Sequence, residues 1–415
     1  MAVPSSEPRS PGDALRADSV GFAAAFACPG AGTPAASQRL SRLYARAALR
    51  RFARLPDGDA LGAAWAQIAA NAEAGALTWC PELGLALAHA RQGRLTAAGL
   101  QLTLAAAGLG ATGEWSFTAA EPTEFMFAGH RFSAAGVTTL SAGNGEASIL
   151  AGSRPLLRFR TEAPSWRLME AAQDDGLVVS SPAHLTAGGD VIDLLATSAL
   201  TLDEAASTWE RAAALRPIGQ LADQREAVAA GAAWLDETAP DSAAWAGRMI
   251  RCCLLLTDVD PSTGSDYLSS SHPAWPGLVT LGLREGAERR RSWLLLVAET
   301  LVHEASHQYL HLLSGAFPVV NGRDQQLHYS ALAKRSRPLD RVLLAYHAAG
   351  NMALAHAAAL ETRRADASAF ELALAKALEA ARSLREPLER TEGLTEVGDT
   401  LWRTLARALE ARGLG

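Results

Sequence analysis

Apolar positions recur at helical spacing over the first quarter of the chain. Leu40, Leu43, Ala47 and Leu49 share one stripe; Leu61, Trp65, Ile68 and Ala69 form another after the Pro56-Asp57-Gly58 break. Two further Ala/Leu-rich segments follow, around Leu83–Ala90 and Leu95–Ala107. From Gly110 the period changes. Glu114–Thr118, Phe125–Phe132, Val137–Ser141, Leu156–Arg160 and Leu177–Ser180 are short, alternating and punctuated by Gly, Pro, Asn or Asp. They predict antiparallel strands of a small sheet, with Val191–Ala196 as a last one. Helical patterning resumes at Thr201, where Glu204 three residues on completes a capping box. That helix should end at Pro217, with further helices over about Leu221–Leu235 and Ala243–Leu256. A loop over Asp258–Pro276 leads to the apolar strand Leu278–Leu283, and one long helix should cover Ala287–Ser314, closed by Gly315.

These elements predict an α+β fold, predominantly helical with a small antiparallel sheet. Four regions are expected: a disordered tail over 1–20, a helical region over 21–110, a β-rich region over 111–200 and a helical, metal-binding catalytic region over 201–415. The chain's 415 residues suit two or three domains, and 49% hydrophobic with 20% charged residues is ordinary globular usage. The 38 basic and 44 acidic residues leave a net charge of −6, which argues against a nucleic-acid partner, because no cationic excess exists to neutralise phosphates. Cys28, Cys80, Cys252 and Cys253 form no CxxC pair, so neither a disulfide scaffold nor a cysteine zinc site is indicated. The last two are expected as buried thiols in an apolar helix. No signal-peptide core or membrane-spanning run is found, so a cytoplasmic protein is expected.

The candidate chemistry lies in the long helix, at His303-Glu304-Ala305-Ser306-His307, the HExxH pattern. A spacing of four stacks His303 and His307 on one face, one turn apart, where both imidazoles can converge on one metal ion. Glu304 is rotated about 100° from His303 and suits a metal-bound water or oxygen ligand better than the histidines' own direction. The flanks Leu294–Val297 and Leu310, Leu312, Leu313 are apolar, so the polar cluster enters a helix that must be largely buried. Metzincin relatives are excluded, since Leu310 and Leu313 stand where such enzymes carry Gly and His. His311 extends the stripe but lies roughly 12 Å along the axis from His303, too far to share an ion. The gluzincin pattern would take its Glu from a following helix. Glu361 is the one candidate and lacks an Asp four residues on. Downstream, Pro338 suits the first turn of a new helix carrying His347, and a helix pair could bring that histidine opposite the HExxH face.

The segment Leu301–Leu313, followed by Tyr329-Ser330, by Arg337-Pro338-Leu339 and by His347, resembles the HExxH family of 2-oxoglutarate-dependent peptide β-hydroxylases associated with ribosomally synthesised natural products. The likeness covers about Leu278–Met352, and Ala331 replaces a proline common in the family. The resemblance implies a zincin-like HExxH helix beneath a short strand. It implies His303, His307 and His347 as iron(II) ligands, and Arg337, with Tyr329 and Ser330 beside it, as the site for 2-oxoglutarate. Arg335 and Arg341 are alternative anchors. A precursor peptide is the implied partner, with no membrane partner; the oligomeric state is open. The same motif with zinc would make a metallopeptidase with Glu304 as general base. A three-histidine set is itself closer to zinc than to an iron facial triad, which uses a carboxylate, and spacing leaves Glu304 open as ligand, proton shuttle or outer hydrogen-bond acceptor. The peptide is expected to lie along the edge of Leu278–Leu283, with side chains from Asp266 to Trp275 selecting the residue.

Overall fold

The computed structural model describes residues 11–30, 32, 34–52, 79–108, 110–117, 123–137, 139–162, 165–172, 177–180, 183–195, 215–217, 222–258, 267–273, 275–283, 293–330, 335–362 and 367–415. Among the described residues four helices come first: α1 (Pro11–Ala25), α2 (Pro34–Phe52), α3 (Pro81–Arg91) and α4 (Leu95–Gly108). Ten strands follow: β1 (Gly113–Ser116), β2 (Thr123–Phe127), β3 (His130–Ala134), β4 (Thr139–Gly143), β5 (Glu146–Ala151), β6 (Arg154–Glu162), β7 (Ser165–Ala171), β8 (Val178–Ser180), β9 (Ala183–Ala187) and β10 (Asp190–Leu195). The chain continues with β11 (Leu215–Pro217), α5 (Ala222–Thr238), α6 (Pro240–Met249), β12 (Cys252–Asp258), β13 (Tyr267–Ser271) and β14 (Leu278–Leu283). It ends with α7 (Trp293–Ala316), the hairpin β15 (His328–Ser330) and β16 (Arg335–Arg337), α8 (Leu339–Glu361), α9 (Ala367–Arg390) and α10 (Glu396–Ala411).

The fold is α+β. Two antiparallel sheets, β1-β4-β5-β6-β7 and β2-β3-β8, occupy the middle of the chain, where the alternating pattern places them. A third sheet is mixed, in the order β13-β14-β12-β10-β9, with β11 added on β12. Within it β10, β12 and β14 run parallel, and β13 is antiparallel to β14. This sheet crosses the boundary expected near residue 200, because β9 and β10 precede it and β12 to β14 follow it.

Several elements differ from expectation for identifiable reasons. Residues 11–20 are helical: Pro11 opens α1, and Phe22 and Phe26, one turn apart, drive the helix into the main core. The stretch expected as one helix over Ala243–Leu256 divides into α6 and β12. A continuous apolar run cannot distinguish a buried helix from a buried parallel strand, and Cys252–Leu255 are fully covered in the sheet. The cysteine pair is buried as expected, but in a strand. Pro217 sits in β11, and the capping box at Thr201 lies outside the described residues. Gly315 does not close α7; the helix continues through it to Ala316, and a Cβ there would lie 2.8 Å from the Tyr44 ring. The loop expected over Asp258–Pro276 contains β13. Leu278–Leu283 is therefore a central strand between β12 and β13 with no open edge, and the terminal strand on its side of the sheet is β13, with β9 terminal at the opposite side.

Gln308 fastens α7 beneath this sheet. Its fully buried carboxamide oxygen accepts from Trp79 Nε1 at 3.1 Å and Gly277 N at 3.0 Å, and its Nε2 donates to the Leu278 carbonyl at 3.0 Å. One side chain thus ties α7 to two segments, the turn before α3 at Trp79 and the start of β14 at Gly277-Leu278. Gln308→Leu is expected to lower stability by about 3 kcal/mol, since several buried partners lose their bonds together. A urea unfolding midpoint equal to that of the parent would show that Gln308 does not carry this junction.

Candidate metal centre

His303, Glu304 and His307 project from the middle of α7 toward β13. Their potential ligand atoms all lie within 4.8 Å of one another, and they are the group of His, Cys, Asp and Glu side chains among the described residues arranged to hold an ion. The imidazole centroids of His303 and His307 are 4.4 Å apart, as their one-turn spacing requires. Glu304 Oε1 lies 3.9 Å from His303 Nε2, and Oε2 lies 3.5 Å from His307 Nδ1. The histidines keep about a fifth of their side-chain surface exposed (23% and 17%), whereas Glu304 keeps 1%. The site therefore opens through the imidazole edges and is closed at the carboxylate.

Across the gap, Ser269 Oγ on β13 donates to Glu304 Oε1 at 2.6 Å. Glu304 Oε2 is buried and makes no hydrogen bond. Burial raises the Glu304 carboxyl, but the neighbouring His307 and His303 and the Ser269 hydroxyl together outweigh it and hold the group down at about 2. Burial, reinforced by His307, lowers His303 to about 4, so its imidazole is neutral at pH 7. A neutral imidazole and an ionised carboxylate are the protonation states a metal requires. The residues present therefore fit an ion: a buried anionic oxygen without a hydrogen bond sits between two imidazoles, and a divalent cation would satisfy it.

The other sequence candidates separate from this group. His347 does come to α7, but not to its metal face. Nδ1 lies 3.0 Å from the Ser306 carbonyl and Nε2 2.8 Å from the Phe26 carbonyl, so each ring nitrogen faces a backbone oxygen and the neutral ring donates to one of the two. Its ring stands edge-on to Trp245, 5.8 Å between centroids, and Trp245 stacks on Tyr309 at 4.3 Å. The expected role as third ligand gives way to a packing role because α8 meets α7 along the core side, where Ser306 and Tyr309 point. Burial outweighs the two carbonyls and lowers His347 to about 4. His311 is 6.3 Å beyond His307, centroid to centroid, outside the ligand group as expected, and burial lowers it to about 3. Glu361 accepts from Arg412 at 3.3 Å, with 67% of its side chain exposed, far from a ligand's setting.

Arg337 ends β16 immediately before Pro338, the residue that caps α8. It is half-buried, its Nε is covered without a hydrogen-bond partner, and burial together with Arg335 and Arg341 disfavours its charge. A cation in that setting calls for an anion. Tyr329 lies across the hairpin from Ser336 with 61% of its surface exposed, and Ser330 pairs with Arg335. Neither is brought to the metal group. Trp275, expected to select substrate, is buried with Cys252, Leu254 and Leu278. Asp266 lies outside the described residues. Nothing in the sequence pattern ties Ser269 to Glu304, or Gln308 to Trp79 and Gly277. The only sequence hint was the serine run 269–271, which carries no period that could relate it to Glu304.

Compared with protein-family models and with curated proteins, the chain matches none.

His303→Ala and His307→Ala are each expected to abolish metal retention in the purified protein, whereas His311→Ala should retain it, as elemental analysis will show. His347→Gln should retain metal but melt at lower temperature. The depressed values of His303, His311 and His347 also fix a pH dependence. Between their folded values and the ordinary value of 6.5 the unfolded chain binds protons that the folded chain does not, so stability falls as pH drops from 6.5 toward 4. The fall should be shallower in His347→Gln, and an equal slope would mean that the buried ring does not contribute.

Proposed function

We propose that the chain is a cytoplasmic iron(II)/2-oxoglutarate-dependent oxygenase that hydroxylates a side-chain β-carbon of a ribosomally made precursor peptide. The observation that carries this reading is the buried carboxylate of Glu304 within the same 4.8 Å group as His303 and His307. Two imidazoles and one carboxylate with open positions are the ligand set of non-haem iron oxygenases. They ease the difficulty of a three-histidine set, whose donors suit zinc better. Arg337 supports the co-substrate. Its planar fork matches a carboxylate, and its covered, unpartnered Nε favours an anionic guest. A zincin-like layout is part of the proposal, supported by α7 passing beneath β13 with Glu304 bonded to Ser269. The four cysteines, all free thiols, agree with a reducing compartment.

Bound iron with 2-oxoglutarate and O₂ would supply an oxidant strong enough to replace a C–H bond by C–OH, with succinate and CO₂ as by-products. The chain's own contribution is placement. His303, His307 and Glu304 would hold the ion from one helix, leaving its exposed side to co-substrate and peptide. Arg337 would bind the distal carboxylate of the co-substrate and fix its direction. The apolar flanks of α7 keep bulk water from the buried side of the carboxylate. β13 offers main-chain donors and acceptors to an extended peptide, in place of the β14 edge expected from sequence.

The zinc metallopeptidase reading requires a third protein ligand and a glutamate open to water. Glu361 is paired with Arg412 at the surface, and Glu304 is covered and held by Ser269. The geometry therefore favours the oxygenase.

The test is aerobic turnover of the iron-loaded protein with 2-oxoglutarate and candidate precursor peptides. Succinate and a peptide heavier by one oxygen atom are expected. Peptide cleavage by the zinc-loaded protein without 2-oxoglutarate would overturn the assignment. Arg337→Ala should raise the 2-oxoglutarate concentration needed for half-maximal succinate formation at least ten-fold while iron content persists, since a hydrogen-bonded charge pair of this kind contributes about 2 kcal/mol. An unchanged requirement would move the anchor to Arg335 or Arg341.

A further inference from the structure

Glu304 faces a geometric difficulty as a ligand. It is the immediate neighbour of His303, and successive helical residues diverge by about 100°. A glutamate has three side-chain torsions, and fixing them costs conformational freedom. Something must draw the carboxylate to the histidines' side and choose which oxygen faces the ion. On α7 itself His307 Nδ1 lies 3.5 Å from Glu304 Oε2, too long for a strong hydrogen bond. The contact comes from the edge strand of the mixed sheet. Ser269 Oγ reaches Glu304 Oε1 at 2.6 Å, a short charge-assisted bond, and leaves Oε2 buried, without a hydrogen bond and 3.5 Å from His307 Nδ1. Ser269 is in turn located by its sheet. It stands opposite Leu281 in the β13–β14 register, with Ser270 opposite Thr280 and directed to the other face of the strand.

We propose that Ser269 is a positioning residue for the metal centre: its hydroxyl holds Glu304 Oε1, so that Oε2 is the oxygen delivered to the ion between His303 and His307. The inference rests on the metal-binding part of the function proposed above. It adds that the edge strand, and not the HExxH helix alone, decides that Glu304 is a ligand. A buried carboxylate oxygen without a partner is costly, and a cation is the partner that its place between two imidazoles admits. Without the serine, Glu304 could rotate its free oxygen away, leaving two histidines and water to bind the metal.

Cobalt(II), whose visible absorption reports ligand type and geometry, is the probe. It would be titrated anaerobically into the full chain and into Ser269→Ala, Ser269→Thr and Ser270→Ala. Ser269→Ala is expected to bind cobalt roughly ten-fold or more weakly, the worth of one hydrogen bond to a charged group, and to shift the absorption bands in the direction of Glu304→Gln. Ser269→Thr, which keeps the hydroxyl, should restore both. Ser270→Ala should match the parent. Two outcomes overturn the proposal: a Ser269→Ala spectrum and affinity equal to the parent's, or an equal loss in Ser270→Ala, which would mean that the strand and not the hydroxyl matters. If the parent binds cobalt and performs turnover while Ser269→Ala is unchanged, the positioning role alone fails. If the parent binds no metal, the functional reading fails with it.

Discussion

The polar side chains of α7 have to be satisfied inside an apolar core, and the architecture around them follows from that requirement. Glu304, Ser306 and Gln308 are essentially excluded from water within a helix flanked by leucines. Each finds a different partner. Glu304 takes the Ser269 hydroxyl, and Ser306 bonds back to the Val302 carbonyl while lending its own carbonyl to His347. Gln308 joins Trp79, Gly277 and Leu278. Every one of these bonds ties α7 to a neighbouring element or to its own preceding turn, so the depth and rotation of the helix are fixed from several sides. An unmade bond here costs as much as a lost core methyl group or more.

That fixed rotation separates two histidine environments. On the sheet side, His303 and His307 keep partly open edges next to a buried carboxylate, a setting suited to a cation. On the core side, His347 is enclosed by backbone carbonyls and aromatic rings. Burial lowers the proton affinity of both His303 and His347 to about 4. Yet one ring faces a carboxylate and an opening, while the other has a backbone carbonyl against each nitrogen. The same chemical group is therefore a metal-ligand candidate in one place and a structural bridge between α8, α7 and the turn after α1 in the other.

The neighbourhood of the candidate centre is assembled from distant parts of the chain. Phe26, just after α1, contributes the carbonyl behind His347, and β13 the hydroxyl on Glu304. Asp324 helps to hold the hairpin that carries Arg337, bonding His328 at 3.0 Å and Thr391 at 2.6 Å. Val320 bridges Leu394 beside it, and Asn321 bonds the carbonyls of Glu392 and Leu394. The segment between α7 and α8 is thus clasped to the turn before α10, which limits where Arg337 can stand.

Local chemistry determined much of this in the sequence itself. The four-residue spacing of His303 and His307 puts both rings on one helical face in any fold that keeps the helix. Phe125–Phe132, expected as one strand, turns at Ala128-Gly129 into the buried hairpin β2–β3, whereas alternation over Leu156–Arg160 reads as half-buried strand, and Pro338 caps the helix that bears His347. These features depend on periods of two or 3.6 residues and on proline's fixed torsion, all set within a few positions. Long-range packing decided the rest. Cys252–Leu255 became strand because both faces are covered, which a run of apolar residues does not reveal. Ser269–Ser271 became an edge strand because β14 offered it a partner. Whether His347 or Glu304 joins the histidine pair depended on which face of α7 meets α8 and which meets the sheet. That choice is made by the sum of many contacts between residues tens to hundreds of positions apart, and no local pattern encodes it.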